Sequence, residues 1–166
     1  MPMPEPMPEP RCLAQRTGPV PADWRAALAV RLAHKPRRLG AWAELALWGA
    51  RGCLDAAGLE ALPARARLQV MSLSGPAEAL RAGVAALASS LPAPYTFLQS
   101  QPLVGLAAMA RWLHGGDWRG DALVVNARDE ALLTTLARAA AQRTPVLQGR
   151  VELGATLRSD WWLWVA

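Results

Sequence analysis

The chain has 166 residues, 52% of them hydrophobic, and its 18 Lys and Arg outnumber 13 Asp and Glu for a net charge of +5. That is enough apolar chain for one domain with a core, which excludes a wholly disordered protein. The arginines are spread out with no recognised nucleic-acid module, no apolar run is long enough to span a membrane, and Cys and His take no metal-ligand spacing, so no nucleic acid, membrane span, metal or cofactor is expected.

Residues 1–10 (MPMPEPMPEP) are low in complexity. Each proline fixes φ and removes a donor, so an extended, disordered tail is expected. The alternation of Pro and Glu is unlike a signal peptide. The expectation is a cytoplasmic protein with a single α/β domain over residues 11–166, in which Cys12 and Cys53 are reduced core residues.

Residues 11–17 form a short strand candidate, ended by Gly18 and Pro19. Asp23 stands where it would cap a helix beginning at Trp24, and Pro36 stops that helix. A second helix is expected over residues 38–57, with Leu39, Trp42, Leu45, Ala46, Cys53 and Leu54 near helical spacing and Gly58 as its terminator. Lys35, Arg37 and Arg38 crowd its start, where cations oppose the helix dipole. They form either a solvated turn or a docking patch for an acidic protein. Residues 67–73 (RLQVMSL) alternate as a strand. Ser74 and Pro76 then open a third helix that runs to about Ser89. Pro92, Pro94 and Tyr95 predict a loop, and a fourth helix follows from Gln101 to Gly115. His34 and His114 fall at helix ends, where capping of exposed carbonyls is expected.

The stretch over residues 116–149 reads as loop, strand (Ala122, Leu123, Val124, Val125, Asn126), elbow, helix and strand. In α/β enzymes such an elbow often presents a nucleophile at the positive end of a helix dipole. Here it reads Asn126, Ala127, Arg128, Asp129, with no Cys, Ser or His. Asp129 and Glu130 suit the helix start and Arg138 its end, so helix stabilisation explains them. The polar residues of this helix predict one exposed side. Residues 159–166 close the chain as a hydrophobic strand after a turn at Gly154. Trp161, Trp162 and Trp164 fall on both of its faces, so part of it is expected to meet another surface. Helices between the first four strands and a tight turn before the last predict a mostly parallel, helix-covered sheet with one antiparallel strand.

Several segments together resemble the N-terminal half of β-ketoacyl synthases, in the thiolase superfamily. Residues 36–59 are similar to that family's basic residues followed by an alanine-rich helix ending in AGL. Residues 67–75 look like the strand after it. Pro94-Tyr95-Thr96-Phe97 with Ser100 stands where the family has its signature before the next helix. Residues 116–125 and 144–152 resemble the strands on either side of the nucleophile helix. The similar group is the divergent chain-length-factor-like proteins of polyketide and aryl-polyene pathways.

The resemblance implies half a thiolase, with five strands in the order 3-2-1-4-5 and the last antiparallel. It places Arg128, or Asp129, at the family's cysteine, where neither forms a thioester. The family's catalytic histidines belong to a C-terminal half beyond the matched segments. Condensation by this chain is therefore not expected. The resemblance implies a non-catalytic partner of a ketosynthase or an acyl carrier protein. The carrier would dock at Lys35, Arg37 and Arg38, and an oligomer interface would form at the strand Ala122–Val125 and the C-terminal tryptophans. The alternatives are a small acyl-thioester hydrolase or transferase using Ser72, Ser74, Ser100 or His114, although no base is visible for those serines, and a purely structural oligomer.

Overall fold

Five strands form a single sheet in the order β1-β5-β4-β2-β3 in the computed structural model, which describes residues 8–33, 35–89 and 94–166. The elements follow the chain as β1 (Arg11–Arg16), α1 (Trp24–Arg31), α2 (Ala41–Ala56), β2 (Arg67–Met71), α3 (Ala77–Ala88), α4 (Pro94–Gln99), α5 (Pro102–His114), β3 (Ala122–Val125), α6 (Glu130–Ala141), β4 (Val146–Glu152) and β5 (Arg158–Val165). The expected strands and helices are all present, and residues 94–99, expected as loop, add the short helix α4. The tail and His34 fall on or across residues outside the described ones.

The strand order corrects one expectation. β1 is at the sheet edge, antiparallel to β5, and not between β2 and β4, which pair directly from Arg67 and Val146 to Met71 and Arg150. The sheet is mixed, with two parallel and two antiparallel pairings. With β1 set aside, the remaining order 3-2-4-5 is the expected one. Two contacts hold β1 outside: the Arg16 guanidinium stacks 3.5 Å from the centre of the Trp48 ring and donates to the Ser159 carbonyl at 3.3 Å.

One face of the sheet carries α2, with α1 and α5 packed against it. Helix α2 is apolar nearly all round, and 12 of its 16 residues are buried. A helix hydrophobic on every side belongs inside. Its partners on the sheet are Leu68, Val70, Leu147, Val151, Trp161 and Leu163. Trp161 is wholly buried, and two glycines make room for it: a Cβ on Gly149 would lie 2.7 Å from its ring and one on Gly49 2.5 Å.

Among the described residues the other face carries α6, which buries Leu133, Ala137 and Ala141 with Val146. Leu132 and Leu136 are exposed on the same helix, so the expected one-sided burial is present. The sheet beneath is partly polar. Gln69 and Gln148 are cross-strand partners, both buried, and the Gln69 amide donates to the Leu133 carbonyl at 2.9 Å.

Several helix starts differ from the sequence reading. Asp23 precedes Trp24, but its side chain makes no capping bond. Helix α2 begins at Ala41 because Arg38 takes a positive φ of 66° and Gly40 is extended. Lys35, Arg37 and Arg38 thus lie in the preceding connection and not in the first turn. Ser74 does not cap α3; Pro76 occupies that position and Ser74 turns to another partner, described below.

Candidate functional site

The parallel strands β2, β3 and β4 end together, and in open α/β sheets the carboxyl ends of strands are where ligands are received. A cavity of about 290 Å³ opens there. Its polar wall is Ser72, Ser74, Ser100 and Asn126, and its apolar wall includes Leu80, Pro102 and Val124. Three serines and the elbow, dispersed along the sequence, are brought to one place by the ends of β2 and β3.

The carboxylate of Glu152, at the end of β4, is the hub of the adjoining loop. It accepts from the Leu73 amide at 2.7 Å, the Ser74 amide at 3.3 Å, the Ser74 hydroxyl at 3.0 Å and the Ser72 hydroxyl at 3.3 Å. The Ser72 oxygen accepts in turn from the Trp42 indole at 3.3 Å and the Gly75 amide at 2.9 Å. A basic group for the serines is therefore present. It was not legible in sequence, because Glu152 is 78 to 80 positions from its partners. The same bonds limit its chemistry. The Leu73, Ser74 and Gly75 amides, which would make an oxyanion hole, already have acceptors. The network as built ties the β2–α3 loop to β4.

At the elbow, Asn126 is exposed and lines the cavity, and Arg128 is exposed. Asp129 caps α6, accepting from the Ala131 amide at 2.9 Å and the Leu132 amide at 3.3 Å. Glu130 pairs with Arg150 and, at 3.4 Å, with Arg158. These acidic groups are engaged in holding the helix start to the sheet.

Apart from Ser100, which lines the cavity, the remaining candidates lie elsewhere. Ser100 donates to the Phe97 carbonyl at 2.7 Å. His114 does not cap α5: its Nδ1 donates to the Leu62 carbonyl at 2.7 Å, which ties the loop before β2 to the helix and assigns the proton to Nδ1. Lys35, Arg37 and Arg38 are exposed around a depression of about 760 Å³ that also meets Glu44. Arg38 stands 5.3 Å from the centre of the Tyr95 ring. β3 is a sheet edge, paired among the described residues with β2 alone, and Leu123 is exposed on it. Trp161 offers no surface, because the chain's own core encloses it; Trp162 and Trp164 are half-buried on the α6 face. Cys12 is exposed, contrary to the expectation of a core residue, and Cys53 is buried. Among the described residues no group of three or more His, Cys, Asp or Glu could hold a metal ion, and no helix is long and apolar enough to cross a membrane.

The crossovers, the terminal β4–β5 hairpin and the elbow before α6 define a helix-covered α/β domain. The chain is similar to a chain in the structure of the ketosynthase ApeO in complex with its chain length factor ApeC from Xenorhabdus doucetiae. That match is 16% identical, covers 95% of this chain and 79% of the other, and has a TM-score of 0.63. A priming β-ketosynthase from the R1128 polyketide biosynthetic pathway is 14% identical over 95% of this chain and 50% of its own, with a TM-score of 0.49. No family model and no curated protein sequence matches the chain. The resemblance implied by the sequence is thus met in the fold.

Proposed function

We propose that this protein is a non-catalytic, ketosynthase-like partner subunit in fatty-acid, polyketide or aryl-polyene biosynthesis, acting beside a ketosynthase, an acyl carrier protein or both. The observation that carries the proposal is the elbow: it retains its strand and helix, yet Asp129 is spent as the cap of α6 and Arg128 points to no acyl-accepting chemistry. A condensing enzyme needs a nucleophile at such a position. The solved complex above pairs a ketosynthase with a chain length factor, which supports the same role here. The edge strand β3 is where a partner would add to the sheet, since its outer N–H and C=O groups are free to pair. Lys35, Arg37 and Arg38 would receive an acidic carrier protein.

The test is copurification of the tagged full chain with a ketosynthase and an acyl carrier protein. A stoichiometric complex lost on placing Pro at Val124 is expected; no binding to either at micromolar concentration overturns the proposal. A second reading, acyl-thioester hydrolysis, is favoured by one contact, the 3.0 Å bond from Ser74 to Glu152. Turnover of acyl thioesters that disappears in both Ser74→Ala and Glu152→Gln would establish it and displace the first.

A further inference from the structure

The two cysteines are 41 positions apart in sequence, yet the fold directs them to one atom. The Cys12 thiol, on the edge strand β1, contacts the Ala14 carbonyl oxygen at 3.3 Å, and the Cys53 thiol, inside α2, contacts the same oxygen at 3.6 Å. Two sulfurs that share one oxygen lie no farther apart than the sum of those distances. Cys12 acts electrostatically on Cys53, and the backbone of Leu163 favours the anionic form of both.

The surroundings suit a bridge. The β1 register shifts between Cys12 and Ala14, a bulge that leaves Leu13 unpaired opposite β5. A bulge on an edge strand gives the backbone slack to bring two sulfurs that meet at one carbonyl oxygen to about 2.05 Å. Cys12 is exposed and meets a solution oxidant first; Cys53 is buried inside α2. Neither thiol takes part in the cavity at the strand ends.

We propose that Cys12 and Cys53 are an oxidative modification site, at which a hydroperoxide converts them to an intramolecular disulfide that ties the edge strand β1 to the central helix α2. The Cys12 thiolate attacks the peroxide oxygen, breaking the O–O bond to give Cys12 sulfenic acid and, after protonation, one water or alcohol. The Cys53 sulfur then attacks the sulfenic sulfur; the S–S bond forms, the S–O bond breaks, and the hydroxyl leaves with the Cys53 proton as a second water. Each chain gives up two electrons to one peroxide. Burial raises both thiols above the ordinary range, Cys53 to about 12, so the reaction is slow at neutral pH and accelerates as pH rises.

The experiment is intact-mass spectrometry of the reduced full chain after treatment with hydrogen peroxide at pH 7.5 and pH 9, followed by peptide mapping without reductant. The expected result is the loss of two hydrogens per chain, a Cys12–Cys53 linked peptide, reversal by dithiothreitol and faster formation at pH 9. Cys12→Ser abolishes the product while leaving Cys53 unmodified. Oxygen addition at Cys12 alone, or dimers joined through Cys12 with Cys53 still free, would overturn the proposal. The wild-type mass decides the outcome, so it does not depend on how well either variant folds.

Discussion

The two faces of the sheet follow different rules. Toward α2, the buried sheet residues are apolar except Ser159, and the helix above them is buried from Trp42 to Leu54 apart from Arg51. Toward α6, the strands present Gln69, Gln148, Arg150 and Asp160, and the helix covers them with three buried residues while Leu132 and Leu136 stay exposed. Adjacent residues on β4 show the contrast directly: Leu147 packs in the main core and Gln148 lies on the opposite side. The α2 face supplies most of the apolar burial that drives folding. The α6 face is held by a cap, ion pairs and a glutamine, so it is the face whose stability is local and whose surface is open to a partner.

That contrast breaks first at Trp161. Trp161→Ala is expected to cost about 3–5 kcal/mol, as for large aromatic truncations in a packed core, read from urea denaturation. A loss below 1 kcal/mol would mean the α2 face is not the core. The second effect is a pH dependence. Cys53 sits in the α2 core, with its thiol pushed from 9.0 to about 12. The neutral thiol is favoured by the fold, so stability from it is complete below pH 9 and declines as pH rises toward 12, by at most about 1.4 kcal/mol per pH unit. Urea midpoints between pH 8 and 10.5 check the sign, and Cys53→Ala is expected to flatten that slope.

The α6 face answers more weakly. Asp129→Ala removes the acceptor of two helix amides and is expected to cost about 1 kcal/mol, with hydrogen exchange accelerating first at Ala131 and Leu132. The smallest change is expected at Gln148→Leu. Its buried Oε1 has no partner among the described residues, so replacing the amide by a hydrocarbon should shift stability by less than about 1 kcal/mol in either direction. If Gln148→Leu costs as much as Trp161→Ala, the two faces are not different in kind.

The cavity at the strand ends was only partly legible in sequence. Ser72, Ser74, Ser100 and Asn126 were each visible as candidates, because loops between predicted strands and helices carry the polar residues. Their meeting in one wall was not, and neither was Glu152, whose role depends on β4 ending beside β2. The basic cluster was visible as a charge run, but its position before α2 depends on the positive φ of Arg38, which composition does not reveal. Which of Trp161, Trp162 and Trp164 the core would enclose was not legible, because a strand pattern cannot tell which face is covered; Gly49 and Gly149 decide it for Trp161, one on α2 and one on β4.

By itself the sequence determined the succession of strands and longer helices, all but the short α4, and the empty elbow, because periodicity and breakers act over a few residues. It also determined that α2 would be apolar and α6 amphipathic. Only the tertiary structure decided that β1 leaves the middle of the sheet for its edge, since β2 and β4 satisfy each other's ladders without it and Arg16 gains Trp48 outside. It likewise decided which carboxylate meets the serines and which carbonyl the two thiols share. Those outcomes rest on contacts between distant positions, where competing arrangements of the same elements differ by packing and not by local preference.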